Sequence, residues 1–170
     1  MIKIETRYLA GHSILHAFPD GKRDTPLPCI IFYHGFTSSS LVYSYFAVAL
    51  AQAGFRVIMP DAPEHGARFS GDTQGRMTQF WQILRQNMQE FAALRAAVQQ
   101  ENWVLEERLA MGGASMGGMT ALGIMARHPE VKCVASLMGS GYFTRLAHTL
   151  FPPLIPETPE QQREFDDIIA

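Results

Sequence analysis

The residues with the clearest chemical potential lie in a glycine-rich segment at positions 109–118. This segment contains the pattern G-x-S-x-G, formed by Gly113, Ser115 and Gly117. An apolar strand-like run precedes the pattern and a helical stretch follows it, which is the strand–turn–helix context of a nucleophilic serine. Glycines two residues before and after the serine keep side chains out of a very sharp turn. The spacing therefore predicts that Ser115 attacks a carbonyl carbon.

A serine that attacks a carbonyl group also needs hydrogen-bond donors for the oxyanion that forms. Residues 33–37, Tyr-His-Gly-Phe-Thr, directly follow an earlier apolar strand. In a parallel sheet both strands end at the same carboxyl edge, where ligands bind. We therefore expect the backbone N–H groups of Phe36 and Met116 to point into one site beside the serine.

The elements that must position these groups alternate between strands and helices. A hairpin is predicted at Gly11, and the alternation after it predicts an α/β fold: a mostly parallel sheet with helices on both faces, in one domain over 1–170. The predicted strands cover 2–9, 12–18, 29–33, 55–59, 108–112 and 131–137. The predicted helices cover 38–53 with serine N-caps and Gly54 at its end, 76–100, 116–127, a short piece near 143–150, and a polar stretch ending at Ala170.

Composition excludes several classes of protein. The 170 residues are 47% apolar and 18% charged, with a net charge of −2, as in ordinary globular chains. No basic stripe is present to bind nucleic acid, and no apolar run is long enough to span a bilayer. The N-terminal segment lacks the apolar centre of a signal peptide, so we expect a cytoplasmic protein.

Metal and cofactor chemistry find little support in the sequence. Cys29 and Cys133 lie in apolar runs without a C-x-x-C partner, so we expect two reduced, buried thiols. Asp61, Glu64 and His65 are close in sequence, but their spacing matches no metal-ligand motif. The glycine-rich turn does not fit the dinucleotide pattern G-x-G-x-x-G. We expect neither a metal nor a cofactor.

Three motifs together resemble a known family. His34-Gly35 after the third strand, V-x-x-P-D-x-x-x-H-G over 57–66, and G-x-S-x-G are the pattern of the α/β-hydrolase superfamily. Over essentially all 170 residues, the sequence resembles small cytoplasmic bacterial carboxylesterases of the dienelactone-hydrolase and prolyl-oligopeptidase-like branch. The resemblance implies hydrolysis of small carboxylic esters by a serine, a histidine and an acidic residue, without a cofactor. It gives His34 and His65 structural roles.

One departure from that family leads to further expectations. The family places its acid and its histidine after the last strands of the sheet, and we count only six strands here. We therefore expect these 170 residues to be the N-terminal part of a longer protein. Alone, they should be a very poor esterase. His148 is the remaining candidate base within the chain. The outer edge of strand 131–137 would be open, which predicts association between copies.

The predicted pocket is apolar and suits a short acyl group. Tyr142 and Phe143 are the predicted substrate-binding residues, and segment 139–170 is a candidate lid. Phe36, Met116 and Met138 are expected nearby, although Met138 and Phe143 fit a plain core role equally well. Two alternatives to a carboxylesterase stay open at this point: a thioesterase or acyltransferase, and a non-catalytic binding module with the same fold.

Overall fold

One six-stranded sheet organises the computed structural model, which describes residues 1–153 and 155–169. Its strands lie in the order β1-β2-β4-β3-β5-β6. The N-terminal hairpin pairs antiparallel, β2 also pairs antiparallel with β4, and the remaining neighbours are parallel. The mostly parallel sheet with its N-terminal hairpin is therefore confirmed. The strands are β1 (Ile2–Leu9), β2 (His12–Pro19), β3 (Leu27–Tyr33), β4 (Arg56–Pro60), β5 (Val104–Ala114) and β6 (Cys133–Leu137).

Helices cover both faces of this sheet, as predicted. The helices are α1 (Ser44–Gln52), α2 (Thr73–Met77), α3 (Phe80–Gln89), α4 (Phe91–Gln100), α5 (Met116–Arg127), α6 (Phe143–Leu146) and α7 (Pro159–Ile169), with a 3-10 turn at Gly66–Arg68. On one face, α1 packs over a smaller core that includes Phe32 and Met59. On the other, α3, α4 and α5 bury a larger core around Trp81 and Phe91. The central strands β3 and β4 are buried on both faces, which explains their apolar runs.

The predicted helix over 76–100 is wrong, because three helices occupy this part of the chain. Helix α2 is capped by the Asp72 carboxylate, which accepts the Gly75 N–H, and it ends at Met77. Between α3 and α4 the chain bends at Glu90. There, Arg68 holds the Glu90 carboxylate with two hydrogen bonds of 2.8 Å. The apolar spacing continues across the bend because α3 and α4 contribute to the same core, so periodicity alone could not reveal it.

The predicted N-cap of the first helix is also wrong. Helix α1 begins at Ser44, because the preceding serines stabilise turns instead. The Ser40 N–H donates to the Asp61 carboxylate (2.7 Å), and the Ser39 hydroxyl accepts from the Val42 N–H. The predicted end is correct, since Gly54 has a φ of +98°. Strand β5 starts earlier than predicted, and its register with β3 shifts between Leu27 and Cys29.

The two cysteines differ in their surroundings. Both are free thiols, and Cys29 is buried as predicted. Cys133 is exposed, which corrects the expectation that both thiols are buried. The reason is that β6 lies at the end of the sheet, where every second residue faces outward. Within the described residues β6 pairs with β5 alone.

The chain after β6 packs across the helices of the larger core. Trp81 donates its indole N–H to the Leu150 carbonyl (3.1 Å), and Arg85 pairs with Asp167 (2.6 Å). Phe165 and Ile168 of α7 are buried. The candidate lid, 139–170, thus lies against α3 in part, and its residues 154 and 170 are outside the described residues. None of the described helices is long and apolar enough to cross a bilayer.

Candidate active site

Ser115 lies in the sharp turn between β5 and α5. Its backbone has φ 56° and ψ −119°, a combination that residues other than glycine rarely adopt. Such strain costs roughly 1–3 kcal/mol and is typical of functional turns. Both neighbours, Ala114 and Met116, are buried, whereas Ser115 itself is exposed. The turn therefore presents the hydroxyl to solvent above the carboxyl edge of the sheet.

The two glycines of the motif are required by close backbone contacts. A Cβ atom at Gly113 would overlap the backbone of Gly117. A Cβ atom at Gly117 would overlap the carbonyl of Tyr33 at the end of β3. Both positions have ordinary backbone angles, so space rather than conformation demands glycine. The close approach brings the first turn of α5 against the end of β3.

Two loops flank the serine. On one side, the Ser115 N–H donates to the carbonyl of Leu137, the last residue of β6 (2.8 Å). On the other, a Cβ atom built on Gly35 would lie 3.6 Å from the Ser115 Cβ and 3.5 Å from the Ala114 carbonyl oxygen. The loop that follows β3 is therefore in contact with the turn at Ser115, as the sequence predicts for the carboxyl edge.

The orientation of the predicted oxyanion donors can be read from the carbonyl groups of the same peptide units. The Gly35 carbonyl accepts from the His34 ring at 2.8 Å and from the Ser38 N–H at 3.2 Å. A trans peptide points its N–H the opposite way, so the Phe36 N–H is directed away from these partners. Similarly, the Ser115 carbonyl accepts from the Met119 N–H (3.0 Å) inside α5. The Met116 N–H therefore points out of the helix N-terminus, on the side of the serine.

Two histidines fix the loop that carries Phe36. His34 donates from Nδ1 to Gly35 and accepts the Ala62 N–H at Nε2 (2.9 Å). His65 donates from Nδ1 to the Pro63 carbonyl (2.7 Å) and accepts the Thr37 N–H at Nε2 (2.8 Å). Thr37 has a left-handed backbone, with φ 65°. The predicted structural role of both histidines is confirmed by these bonds.

Both rings are held in the neutral form. Burial lowers the pKa of His65 to about 4, and the neighbouring His34 ring and the Arg76 cation act in the same direction. Burial also lowers the pKa of His34. Each ring uses one nitrogen as donor and the other as acceptor, which only the neutral imidazole can do. Neither ring is therefore free to take a proton from the serine.

Asp61 braces the same loop from the end of β4. One carboxylate oxygen accepts the Ser40 N–H (2.7 Å) and the other accepts the Ala67 N–H (3.0 Å). The side chain is nearly fully buried. Its lone pairs are thus directed to backbone amides. No group of three candidate metal ligands occurs among the described residues.

An aromatic cluster forms one wall beside the predicted oxyanion donors. The Phe36 ring contacts Phe80 edge-on (5.1 Å between centroids) and Phe151 (5.3 Å). Phe80 and Phe151 stack at 4.5 Å, and the His65 ring lies 5.4 Å from Phe36. The wall therefore joins the oxyanion loop, α3 and the segment after α6.

The other predicted pocket residues are more dispersed. The Met116 side chain is fully buried in the core, whereas Met138 is 85% exposed directly after β6. Tyr142 is 78% exposed. Phe143 packs against the Trp81 ring (6.4 Å) and next to Gly123 of α5. A role for Tyr142 and Phe143 in substrate binding stays a prediction.

One polar group near the serine, the Tyr43 hydroxyl, was not predicted from the sequence. The Tyr43 hydroxyl lies 2.9 Å from the position of a Cβ atom on Gly35, the same position that is 3.6 Å from the Ser115 Cβ. Tyr43 belongs to an aromatic run, Tyr43 to Phe46, whose spacing indicates only helix packing. No local signal separates Tyr43 from Tyr45, because the difference depends on how α1 docks on the sheet.

Comparison with known proteins agrees with this geometry. The family model described as Serine aminopeptidase, S33 matches residues 24–161. The chain belongs to this family of α/β-hydrolases. Esterase YjfP from Escherichia coli (strain K12) is 73% identical over 170 residues, which are 100% of this chain and 68% of that protein. The resemblance to the esterase branch of the superfamily is therefore confirmed.

Solved structures share the fold at low sequence identity. TT1662 from Thermus thermophilus has a TM-score of 0.72 at 21% identity, with 98% of this chain and 67% of that chain covered. A Klebsiella pneumoniae protein provisionally assigned as a dienelactone hydrolase has a TM-score of 0.63 at 20% identity, with 82% and 61% covered. This hydrolase chain thus spans about two thirds of the length of these proteins.

Proposed function

We propose that this hydrolase cleaves small carboxylic esters through an acyl-enzyme on Ser115. The Ser115 oxygen forms a bond to the ester carbonyl carbon while its proton passes to a base. The Phe36 and Met116 N–H groups bind the resulting oxyanion, and each is worth roughly 3 kcal/mol at the transition state. The carbon–alkoxy bond then breaks, the alcohol leaves with the proton, and water releases the acid. The observation that carries the proposal is the exposed serine in its strained turn.

We also propose that the base comes from residues outside these 170. His34 and His65 are occupied, as described above, and His16 is bonded to Glu5 and Arg56. His12 lies near Glu90, His128 near Glu130, and His148 against the Phe165 ring. Among the described residues, no hydrogen bond joins any of the six histidines to the Ser115 hydroxyl.

The aromatic wall supports an apolar acyl group as substrate. Phe36 is half-buried and Phe151 is exposed beside the proposed oxyanion donors, and the buried Phe80 ring supports both of them. Burying an acyl chain there is favourable by about 0.8 kcal/mol for each methylene group. Butyrate esters should therefore be better substrates than acetate esters.

The decisive test is Ser115→Ala in the protein as its gene encodes it. With p-nitrophenyl butyrate, kcat should fall by a factor on the order of 10⁶, because the residues of such a site act as a unit. Ser13→Ala on β2, which is separated from β5 by β4 and β3 in the sheet, is the matched control and should keep full activity. If Ser115→Ala kept more than a tenth of the activity, another nucleophile would be responsible.

A second measurement separates the site of the base. The purified 170-residue chain should hydrolyse the same ester only weakly, since oxyanion donors and binding alone leave roughly 10³–10⁴-fold over water. Turnover equal to that of the protein encoded by the gene would place the base inside these residues. A fluorophosphonate probe that labelled neither form would instead favour a non-catalytic binding module.

A further inference from the structure

Tyr43 directly precedes α1, and its ring is fixed by aromatic contacts. The ring centroid lies 5.8 Å from Phe46, 5.9 Å from Tyr45 and 6.4 Å from Phe32. The first residue of these belongs to α1 and the last to β3, so the phenol is held between a helix and the sheet. Its side chain is half-buried. The position of the hydroxyl is therefore determined by packing.

That hydroxyl reaches the nucleophile turn from the α1 side. It lies 2.9 Å from the Cβ position of Gly35, which is itself 3.6 Å from the Ser115 Cβ. Within the described residues, the hydroxyl makes no hydrogen bond. Phenol groups that are packed in this way usually have a partner. A donor without a partner in the described part of the chain therefore lies beside the Ser115 turn.

The site has two different walls. Phe36 packs with α3 on the face of the larger core, whereas Tyr43 packs with the smaller core under α1. The wall on the α3 side is apolar and suits the acyl chain. An ester has its acyl and alkoxy groups on opposite sides of the carbonyl carbon, so the alkoxy group would then face Tyr43.

We propose that the Tyr43 hydroxyl donates a hydrogen bond to the alkoxy oxygen of the ester held at Ser115. This inference rests on the proposed function of the same site. Negative charge grows on the alkoxy oxygen as its bond to carbon breaks, so the donor stabilises the transition state. The leaving alkoxide takes its proton from the base that received it from Ser115, and Tyr43 keeps its own proton.

The test compares Tyr43→Phe with Tyr45→Phe on an oxygen ester and its sulfur analogue. Phenylalanine keeps the ring packing and removes only the hydroxyl. For ethyl butyrate, Tyr43→Phe should lower kcat/KM about tenfold, the usual value of a hydrogen bond to a charged atom. For S-ethyl thiobutyrate the loss should be under threefold, because sulfur is a weak acceptor. Tyr45→Phe, at an exposed position in the first turn of α1, should leave both values unchanged.

Each other outcome contradicts the inference. An equal loss on both substrates would mean that Tyr43 only shapes the site, and no loss on either would mean that it does not contact the ester. Thermal melting of Tyr43→Phe should match that of the unmodified protein, which separates contact from misfolding. Ser115→Ala is measured in parallel: if it stays active, the proposed function fails as well, and if it is inactive, only the role of Tyr43 is in question.

Discussion

A buried network of hydrogen-bonded polar side chains under the N-terminal hairpin should make the fold sensitive to acid. The His16 ring is fully buried, donates from Nδ1 to Glu5 (2.9 Å) and accepts from Arg56 at Nε2 (2.6 Å). Arg56 is fully buried too and donates to three carbonyls, those of Trp103, Lys22 and Thr25. A protonated His16 would place a second cation against this guanidinium.

The magnitude follows from the pKa of His16. Burial, followed by the Arg56 charge, lowers this pKa from 6.5 to about 4, although the bond to Glu5 acts the other way. The unfolded chain therefore binds a proton that the folded chain excludes between these two values. The stability that neutral His16 contributes is fully present above pH 6.5 and is lost as the pH falls toward 4. One pKa unit corresponds to about 1.4 kcal/mol, so the contribution of His16 to the free energy of unfolding should fall by about 2 kcal/mol from pH 7 to pH 5.

The assay is urea unfolding at pH 7 and pH 5 for the natural chain and for His16→Gln. Glutamine can donate to Glu5 and accept from Arg56, yet it does not titrate. His16→Gln should therefore lose about 2 kcal/mol less than the natural chain between the two pH values. His148→Gln, at an exposed position, is the control and should follow the natural chain. If His16→Gln lost as much stability as the natural chain, His16 would not be the acid-sensitive group.

Two further predictions concern the oxyanion loop and the sheet edge. His65→Ala removes the acceptor of the Thr37 N–H, so kcat/KM for p-nitrophenyl butyrate should fall about a hundredfold because Phe36 is misplaced. His128→Ala is the control. An unchanged rate in His65→Ala would show that the loop holds its shape without His65. Because β6 pairs only with β5 in the described chain, we propose that two copies associate through β6 at high concentration. Light scattering over a dilution series should show the mass rising, and a constant monomer mass with protected amides at 133–137 would contradict this.

The parts of the site that could be predicted depend on local chemistry. The turn at Ser115 needs small neighbours two residues away, and this requirement is visible in the sequence as Gly113 and Gly117. The placement of the loop that carries Phe36 beside this turn followed from the rule that parallel strands end at one edge. In both cases the physical constraint acts within a few residues of the motif or through the order of strands, so no knowledge of tertiary contacts was needed.

The parts that could not be predicted depend on distant partners. Ser40 looks like a helix cap, but its N–H is bound by Asp61, which is 21 residues away. At the bend between α3 and α4, Glu90 is bound by Arg68, which is 22 residues away. The exposure of Cys133 depends on which strand is last in the sheet. Tyr43 differs from Tyr45 only through the docking of α1. Such contacts leave no periodic trace in the sequence.

The backbone of Ser115 opposes folding at the residue where the chemistry would occur. Its positive φ is one that glycine adopts at little cost, so the side chain that would supply the proposed nucleophile also makes the turn less stable by roughly 1–3 kcal/mol. Since native proteins are stable by only about 5–15 kcal/mol, this is a sizeable fraction of the total. Stability and activity therefore favour different residues at this position, and selection for thermal stability alone would tend to remove the serine.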